Sequence, residues 1–150
     1  MQKITTFLTF RDQAEEAMKL YTSVFKNSKI LSETRQGEEF FTGSFQLEGQ
    51  EFMVLNGGPY FTFAEGMSLF VKAETQEEID ELYEKLSEGG EKQPCGWLKD
   101  KFGVSWQIIP PILGQLLRDK DPKKSKSVMD AMLKMHKIDI KALKDAYDQK

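Results

Sequence analysis

One order of elements occurs twice along this chain, and it limits the possible folds more than any other feature. Residues 2–10, QKITTFLTF, are rich in β-branched and aromatic side chains and predict a strand. From Asp12 onward, Ala14, Ala17, Met18, Tyr21 and Phe25 recur at helical spacing and predict an amphipathic helix. Asn27 and Ser28 break it, and strand-like runs follow at 29–35, 40–47 and 51–55, with turn candidates at Gln36-Gly37 and Glu48-Gly49. After Asn56-Gly57-Gly58-Pro59 and the connector Tyr60-Phe61-Thr62-Phe63, the order begins again. A strand at 67–73 leads to a helix at 76–86, with Thr75 as N-cap, Glu77 and Glu78 in its first turn and Gly89-Gly90 at its end. Short strands then surround Lys92, 96–99 and 104–109, with 100–103 as a turn. Two β-α-β-β-β units of about 50 residues each predict a duplicated α+β module whose two sheets share a hydrophobic surface.

Pro110-Pro111 ends the last strand, and helices are expected at 112–118, 122–135 and 140–147. Val128, Met129, Met132, Leu133 and Met135 form an apolar stripe that needs a packing partner. With 150 residues, 39% of them hydrophobic, the chain is long enough for a real core, which excludes a disordered tail and a disulfide-stapled miniprotein. The 21 basic residues against 24 acidic ones give a formal charge of −3, so nucleic acid is not an expected partner. One cysteine, Cys95, cannot close an internal disulfide, and a reducing cytoplasm is the expected location. Lys3 and Arg11 are not followed by a signal-like apolar stretch, and no run approaches the ~18 apolar residues of a membrane span, so no membrane association is expected.

The paired units, the NGGP segment at 56–59 and CGWLKDKFGVSWQI at 95–108 resemble the vicinal-oxygen-chelate superfamily of glyoxalases and bleomycin-resistance proteins. Within it they are most similar to the PhnB-like branch, which often carries the description 3-demethylubiquinone-9 3-methyltransferase. The resemblance covers residues 1–112, as modules of about 1–57 and 58–112. VMDAMLKMHKIDIKAL at 128–143 is similar to the helical extension of that branch, so 113–150 is expected to extend the same domain. The resemblance implies two curved sheets around a cavity. In catalytic members, histidine and carboxylate or amide side chains from both modules hold a divalent metal there. Thr5 and Ser68 stand where such members have their histidines, and Gln107 where the last strand offers glutamate. Neutral hydroxyls are weak ligands compared with imidazole or carboxylate, so no metal and no other cofactor is expected. His136 lies in the helical tail and is read as a surface or packing residue.

Strand alternation places Phe7 and Thr9 on the face of Thr5, and Ile4, Thr6, Leu8 and Phe10 on the helix side. On the last strand the same parity puts Ser105 and Gln107 inward, with Val104, Trp106 and Ile108 toward the helices. Met53 and Leu55 share one face. The expected ligand pocket therefore combines Thr5, Phe7, Met53, Leu55, Ser68, Trp97 and Gln107, with Phe61 and Phe63 near one mouth. The glycines at 57–58 read as a plain turn rather than an anion cradle, Asp100 and Lys101 read as turn residues, and Cys95 has no neighbouring histidine to activate it.

A small organic ligand is the expected partner, held without the usual metal. The alternative is a lyase, isomerase or dioxygenase with an atypical metal site built from Gln107 and Glu48 or Glu51. A methyltransferase ranks below both, because no G-x-G-x-x-G occurs and the strand after each helix leads into further strands. A homodimer is expected with any of these activities, given the methionine-rich stripe.

Overall fold

The computed structural model describes residues 2–149. The backbone forms two compact units, Met1–Phe63 and Ala64–Lys150, each built on a four-stranded sheet.

In the first unit β1 (Thr6–Phe10), α1 (Ala14–Val24), β2 (Ser28–Gln36), β3 (Glu39–Leu47) and β4 (Gln50–Asn56) give the strand order β1-β4-β3-β2. β1 runs parallel to β4, and the other pairs are antiparallel. Within β1 the expected alternation holds, with Leu8 and Phe10 buried and Phe7 exposed on the opposite face, but Ile4, expected on the helix side, lies ahead of the strand and is 87% exposed. α1 contributes Ala14, Ala17, Met18, Tyr21 and Val24 to the core, with the Tyr21 ring 6.2 Å from that of Phe45.

β1 begins at Thr6, later than residue 2 as expected, because the Gln2 side chain takes over the pairing of that segment. Its carboxamide donates to Glu51 O and accepts from Glu51 N–H, both at 3.0 Å, so a side chain replaces a backbone ladder rung. α1 begins at Ala14, and its local N-cap residue Gln13 makes no capping bond. Asn56 serves instead: its Oδ1 accepts from Ala14 N–H at 2.8 Å while its Nδ2 donates to Phe40 O at 3.2 Å. The next two amides, of Gly57 and Gly58, donate to Phe10 O and Arg11 O. NGGP is thus a turn that ties helix to sheet, with those two amides already engaged.

In the second unit β5 (Leu69–Lys72), α2 (Gln76–Ser87), β6 (Glu91–Lys92), β7 (Trp97–Lys99) and β8 (Ser105–Ile109) repeat the pattern as β5-β8-β7-β6, with β5 parallel to β8. Thr75 caps α2 as expected, its hydroxyl accepting from Glu78 N–H at 3.1 Å. Ile79, Leu82, Tyr83 and Leu86 of α2 are buried, as are Leu98, Trp106 and Ile108 on the sheet. Tyr83 Oη donates within hydrogen-bond reach of both Gln93 O and Trp97 O, at 3.0 and 2.9 Å.

Helices α3 (Pro111–Leu117), α4 (Pro122–Leu133) and α5 (Ile140–Tyr147) belong to this unit. Leu113, Val128, Ile138 and Leu143 form a core cluster with Ile109 of β8, joined by Met132 and Met135. The stripe on α4 therefore finds part of its partner here, but Met129 and Leu133 stay 39% and 58% exposed. The Gln76 carboxamide fastens the extension to α2, accepting from Ile140 N–H at 2.8 Å and donating to Ile138 O at 2.9 Å.

A second tie joins Tyr147 of α5 to the α3–α4 connection, its hydroxyl donating to Asp119 Oδ2 at 2.7 Å. The Asp121 N–H and then the Tyr147 phenol hold the Asp119 carboxyl below its usual range. A carboxyl lowered by folding stabilises the native state above its unfolded value, and that contribution disappears as pH falls through the folded one. The protection factors of the α5 amides, corrected for intrinsic exchange, are expected to fall in acid below the ordinary aspartate range. Tyr147→Phe is expected to show the lower protection already at neutral pH.

Candidate functional site

Strand register places the candidate site side chains of the second unit in rows. Gln107 of β8 pairs with Phe70 of β5 on one side and Trp97 of β7 on the other, so a carboxamide lies between two aromatic rings on the sheet face opposite α2. Gln107 Nε2 donates to Ser68 Oγ at 2.9 Å, which fixes the amide's orientation. In the next row Lys72 pairs with Ile109.

Pro110 and Pro111 turn the chain after β8 into α3, and the result is a cleft of about 730 Å³. Its sheet wall carries Phe70, Lys72, Trp97, Gln107 and Ile109, and its helix wall Leu113, Gly114, Leu117 and Arg118. Cys95, a free half-buried thiol, also lines it. A smaller depression of about 390 Å³ at the end of α2 is lined by Glu84, Lys85, Ser87, Glu88 and Lys92, with Lys92 Nζ 3.0 Å from Glu84 Oε1, and has no aromatic side chain in its lining.

Of the residues expected in the pocket, the structure brings Trp97 and Gln107 into this cleft, with Ser68 behind Gln107. Thr5, Phe7, Met53, Leu55, Phe61 and Phe63 belong to the first unit, and the cleft lining draws only on the second. There Phe7 pairs with Met53 and Thr9 with Leu55, forming one open sheet face. Thr5 precedes β1, with its hydroxyl 3.5 Å from Gln2 Nε2. The Phe61 ring lies over Gly57 beside the Thr9 methyl. Phe63 turns toward the helix side instead, packing edge-on against the buried Phe10 with ring centroids 5.1 Å apart. Phe70 and Lys72 were legible, since they share the parity of Ser68. Gly114 and Arg118 carry no such signal, because a helix following a double proline can dock in several ways.

The donor set does not fit the divalent metal of the catalytic superfamily members. Gln107 is bonded to a neutral hydroxyl, and among the described residues no three histidine, cysteine or carboxylate side chains come together. Glu48 is exposed at a hairpin turn, where its carboxylate accepts from Asn27 N–H at 2.9 Å. Adenosylmethionine fits no better. The β1–α1 connection is Arg11-Asp12-Gln13 and the β5–α2 connection Ala73-Glu74-Thr75, both without glycine, and side chains already occupy the amides of Ala14 and Glu78.

The twofold β-α-β-β-β architecture is that of the vicinal-oxygen-chelate superfamily. Within that class, the family model described as 3-demethylubiquinone-9 3-methyltransferase matches residues 2–109, and the chain belongs to this PhnB-like family. A PhnB protein from Bacillus cereus with the same methyltransferase description is 44% identical, with a TM-score of 0.66 over 73% of this chain and 99% of that one. Protein PA1353 from Pseudomonas aeruginosa, 19% identical, shares the fold with a TM-score of 0.63 over 72% of this chain and 96% of its own. So does the fosfomycin resistance protein FosX from Listeria monocytogenes, complexed with Mn(II) and sulfate, at 15% identity and a TM-score of 0.55 over 79% of this chain and 99% of that one. No curated protein matches the chain. Helices α3–α5 begin beyond the residues that the family model covers.

Proposed function

We propose that the protein binds a small organic molecule in the cleft of the second unit and does so without the superfamily's usual metal. The observation carrying this reading is the row Phe70–Gln107–Trp97 facing a cleft of about 730 Å³, within the range of small-molecule sites. Two rings offer stacking surfaces and one oriented amide offers a directional hydrogen bond, which suits a planar or partly apolar ligand. Ser68 and Gln107, which the resemblance sets at superfamily ligand positions, act in this reading as neutral polar groups. The family description names methyl transfer, and the absence of a glycine turn at either strand-to-helix connection argues for binding instead.

The test is thermal denaturation against a panel of small aromatic acids, amides and alcohols. At least one compound is expected to raise the melting temperature with concentration, because a ligand that binds only the native state stabilises it. Trp97→Ala, measured against its own unliganded midpoint, is expected to lose that rise. A panel without effect, or an undiminished shift in the variant, overturns the proposal.

A homodimer in a cytoplasmic setting is part of the same reading. β2 forms the sheet edge of its unit and leaves Ile30 and Leu31 exposed, an arrangement that favours pairing with a second copy. The free thiol Cys95 accords with a reducing compartment, and among the described residues no helix is long and apolar enough to cross a membrane. Light scattering at micromolar concentration is expected to give twice the chain mass, and a monomer removes the dimer from the proposal.

A further inference from the structure

The cleft of the second unit carries charge of the opposite sign to the chain as a whole. The formal net charge of the protein is −3, yet the cleft is lined by Lys72 and Arg118 with Glu74 as its one carboxylate. Elsewhere in this unit several basic side chains pair with acids, Lys85 with Glu81, Lys126 with Asp130, Lys137 with Asp80 and Lys141 with Asp145, while others such as Lys134 and Lys144 make no ion pair among the described residues and lie outside the cleft lining. Among the described residues, Lys72 and Arg118 have neither an ion pair nor a side-chain hydrogen bond.

Gly114 gives a second indication. It lies inside the seven-residue helix α3, where glycine is a poorer helix former than alanine. A Cβ built there would lie 3.0 Å from Arg118 Nη1, so a side chain at this position would press on the guanidinium. The missing side chain lets Arg118 fold back along α3, and both residues line the cleft. Opposite them, Lys72 stands one row along the sheet from Phe70 and Gln107.

We propose that this cleft selects an organic anion, a carboxylate or similar acid attached to an aromatic or apolar body, with Arg118 and Lys72 holding the charge and Phe70 and Trp97 the ring. The assignment rests on the ligand-binding reading of the same cleft and adds the ligand's charge. It also gives the C-terminal extension a role, since Arg118 and the rest of α3 lie beyond the residues shared with the family. A planar guanidinium favours a carboxylate through paired N–H donors, and a lysine nearby adds a point charge.

The experiment uses phenylacetate and its neutral isostere phenylacetamide, with alkylation of Cys95 by iodoacetamide as the readout. Cys95 is the only cysteine of the chain and lines the cleft, so its labelling rate reports occupancy there. Phenylacetate is expected to slow labelling at millimolar concentration, less so as salt is added. Arg118→Gln is expected to weaken this protection roughly tenfold and Lys72→Gln several-fold, with phenylacetamide nearly unaffected by either change. Gly114→Ala separates binding from folding: it is expected to improve α3 as a helix yet weaken phenylacetate protection by displacing the guanidinium. Equal protection by acid and amide, or acid protection insensitive to Arg118→Gln and Lys72→Gln, overturns the anion assignment and leaves the binding reading standing. Protection by neither compound overturns both.

Discussion

Gly96→Ala is expected to destabilise the protein by about 3 to 4 kcal/mol, combining the strain of a positive φ with overpacking in a filled core. Gly96 has φ of +84°, and a Cβ there would lie 2.6 Å from Ile109 Cδ1, 2.9 Å from Ile138 Cγ1 and 3.1 Å from Ile108 O. Ile138 is fully buried and Ile109 nearly so, which leaves neither much room to yield. The position is also a joint. The amides of Cys95 and Gly96 donate to Met135 O and His136 O at 2.8 and 2.7 Å, fastening the segment after α4 to the bend that opens β7. The added methyl group therefore wedges apart the two surfaces that this bend holds together. Urea denaturation measures the loss, and Gly89→Ala supplies the control. Gly89 has φ of +76°, but its nearest neighbour is the Lys101 Cβ at 3.3 Å, the side chain of an exposed residue. It is expected to cost about 1 to 2 kcal/mol, from backbone strain with little clash. Equal losses in the two variants would refute the packing explanation.

Asp100→Ala is expected to cost about 3 kcal/mol, equivalent to a fall in Tm of about 6 to 12 °C for a chain of this size. The Asp100 side chain is in the interior, with the residue only 2% exposed, and its carboxylate accepts from Phe102 N–H at 2.9 Å, Val104 N–H at 3.0 Å and Trp106 Nε1–H at 2.9 Å. Two of these bonds shape the turn between β7 and β8, and the third fixes the indole that packs beneath α2. Removing the carboxylate leaves buried donors without an acceptor, which costs more than the bonds themselves contribute in net terms. Asp100→Asn keeps the volume but turns one acceptor into a donor, and an intermediate loss of about 2 kcal/mol is expected. Trp106→Phe, which removes one donor along with part of the ring, tests whether the network is shared. In a double-mutant cycle with Asp100→Ala the two losses are expected to be non-additive. A loss below about 1 kcal/mol for Asp100→Ala would mean that the turn holds its shape without the carboxylate.

These two positions show the reach of sequence reasoning. Asp100 and its neighbours were legible as a turn from residue type, yet nothing local indicated that the carboxylate would be buried and shared with an indole six residues away. The left-handed bend at Cys95 and Gly96 has a glycine signature, but the reason alanine does not fit lies in Ile109 and Ile138, distant in sequence. Parity along β1 and β8 was readable because alternation is a property of the strand alone, so Leu8, Phe10, Trp106 and Ile108 fall on the helix side as their spacing predicts. The cap of α2 at Thr75 was equally local, whereas α1 takes its cap from Asn56, 42 residues along the chain.

The candidate site divides along the same line. Trp97 and Gln107 could be proposed from the pattern of strands, and the row they form with Phe70 follows from register. The helix wall could not, because the docking of α3 is set by the cluster of Ile109, Leu113, Val128, Ile138 and Leu143, contributed by a strand, helices and a connecting segment far apart in the chain. By itself the sequence determined the duplicated order of elements, the faces of the strands and the polar-aromatic character of the site, since each depends on residues within a few positions of one another. Tertiary structure alone decided that Arg118 joins Lys72 in the cleft, which carboxylate is buried and which distant amide caps a helix, because those outcomes depend on packing between segments that local periodicity does not relate.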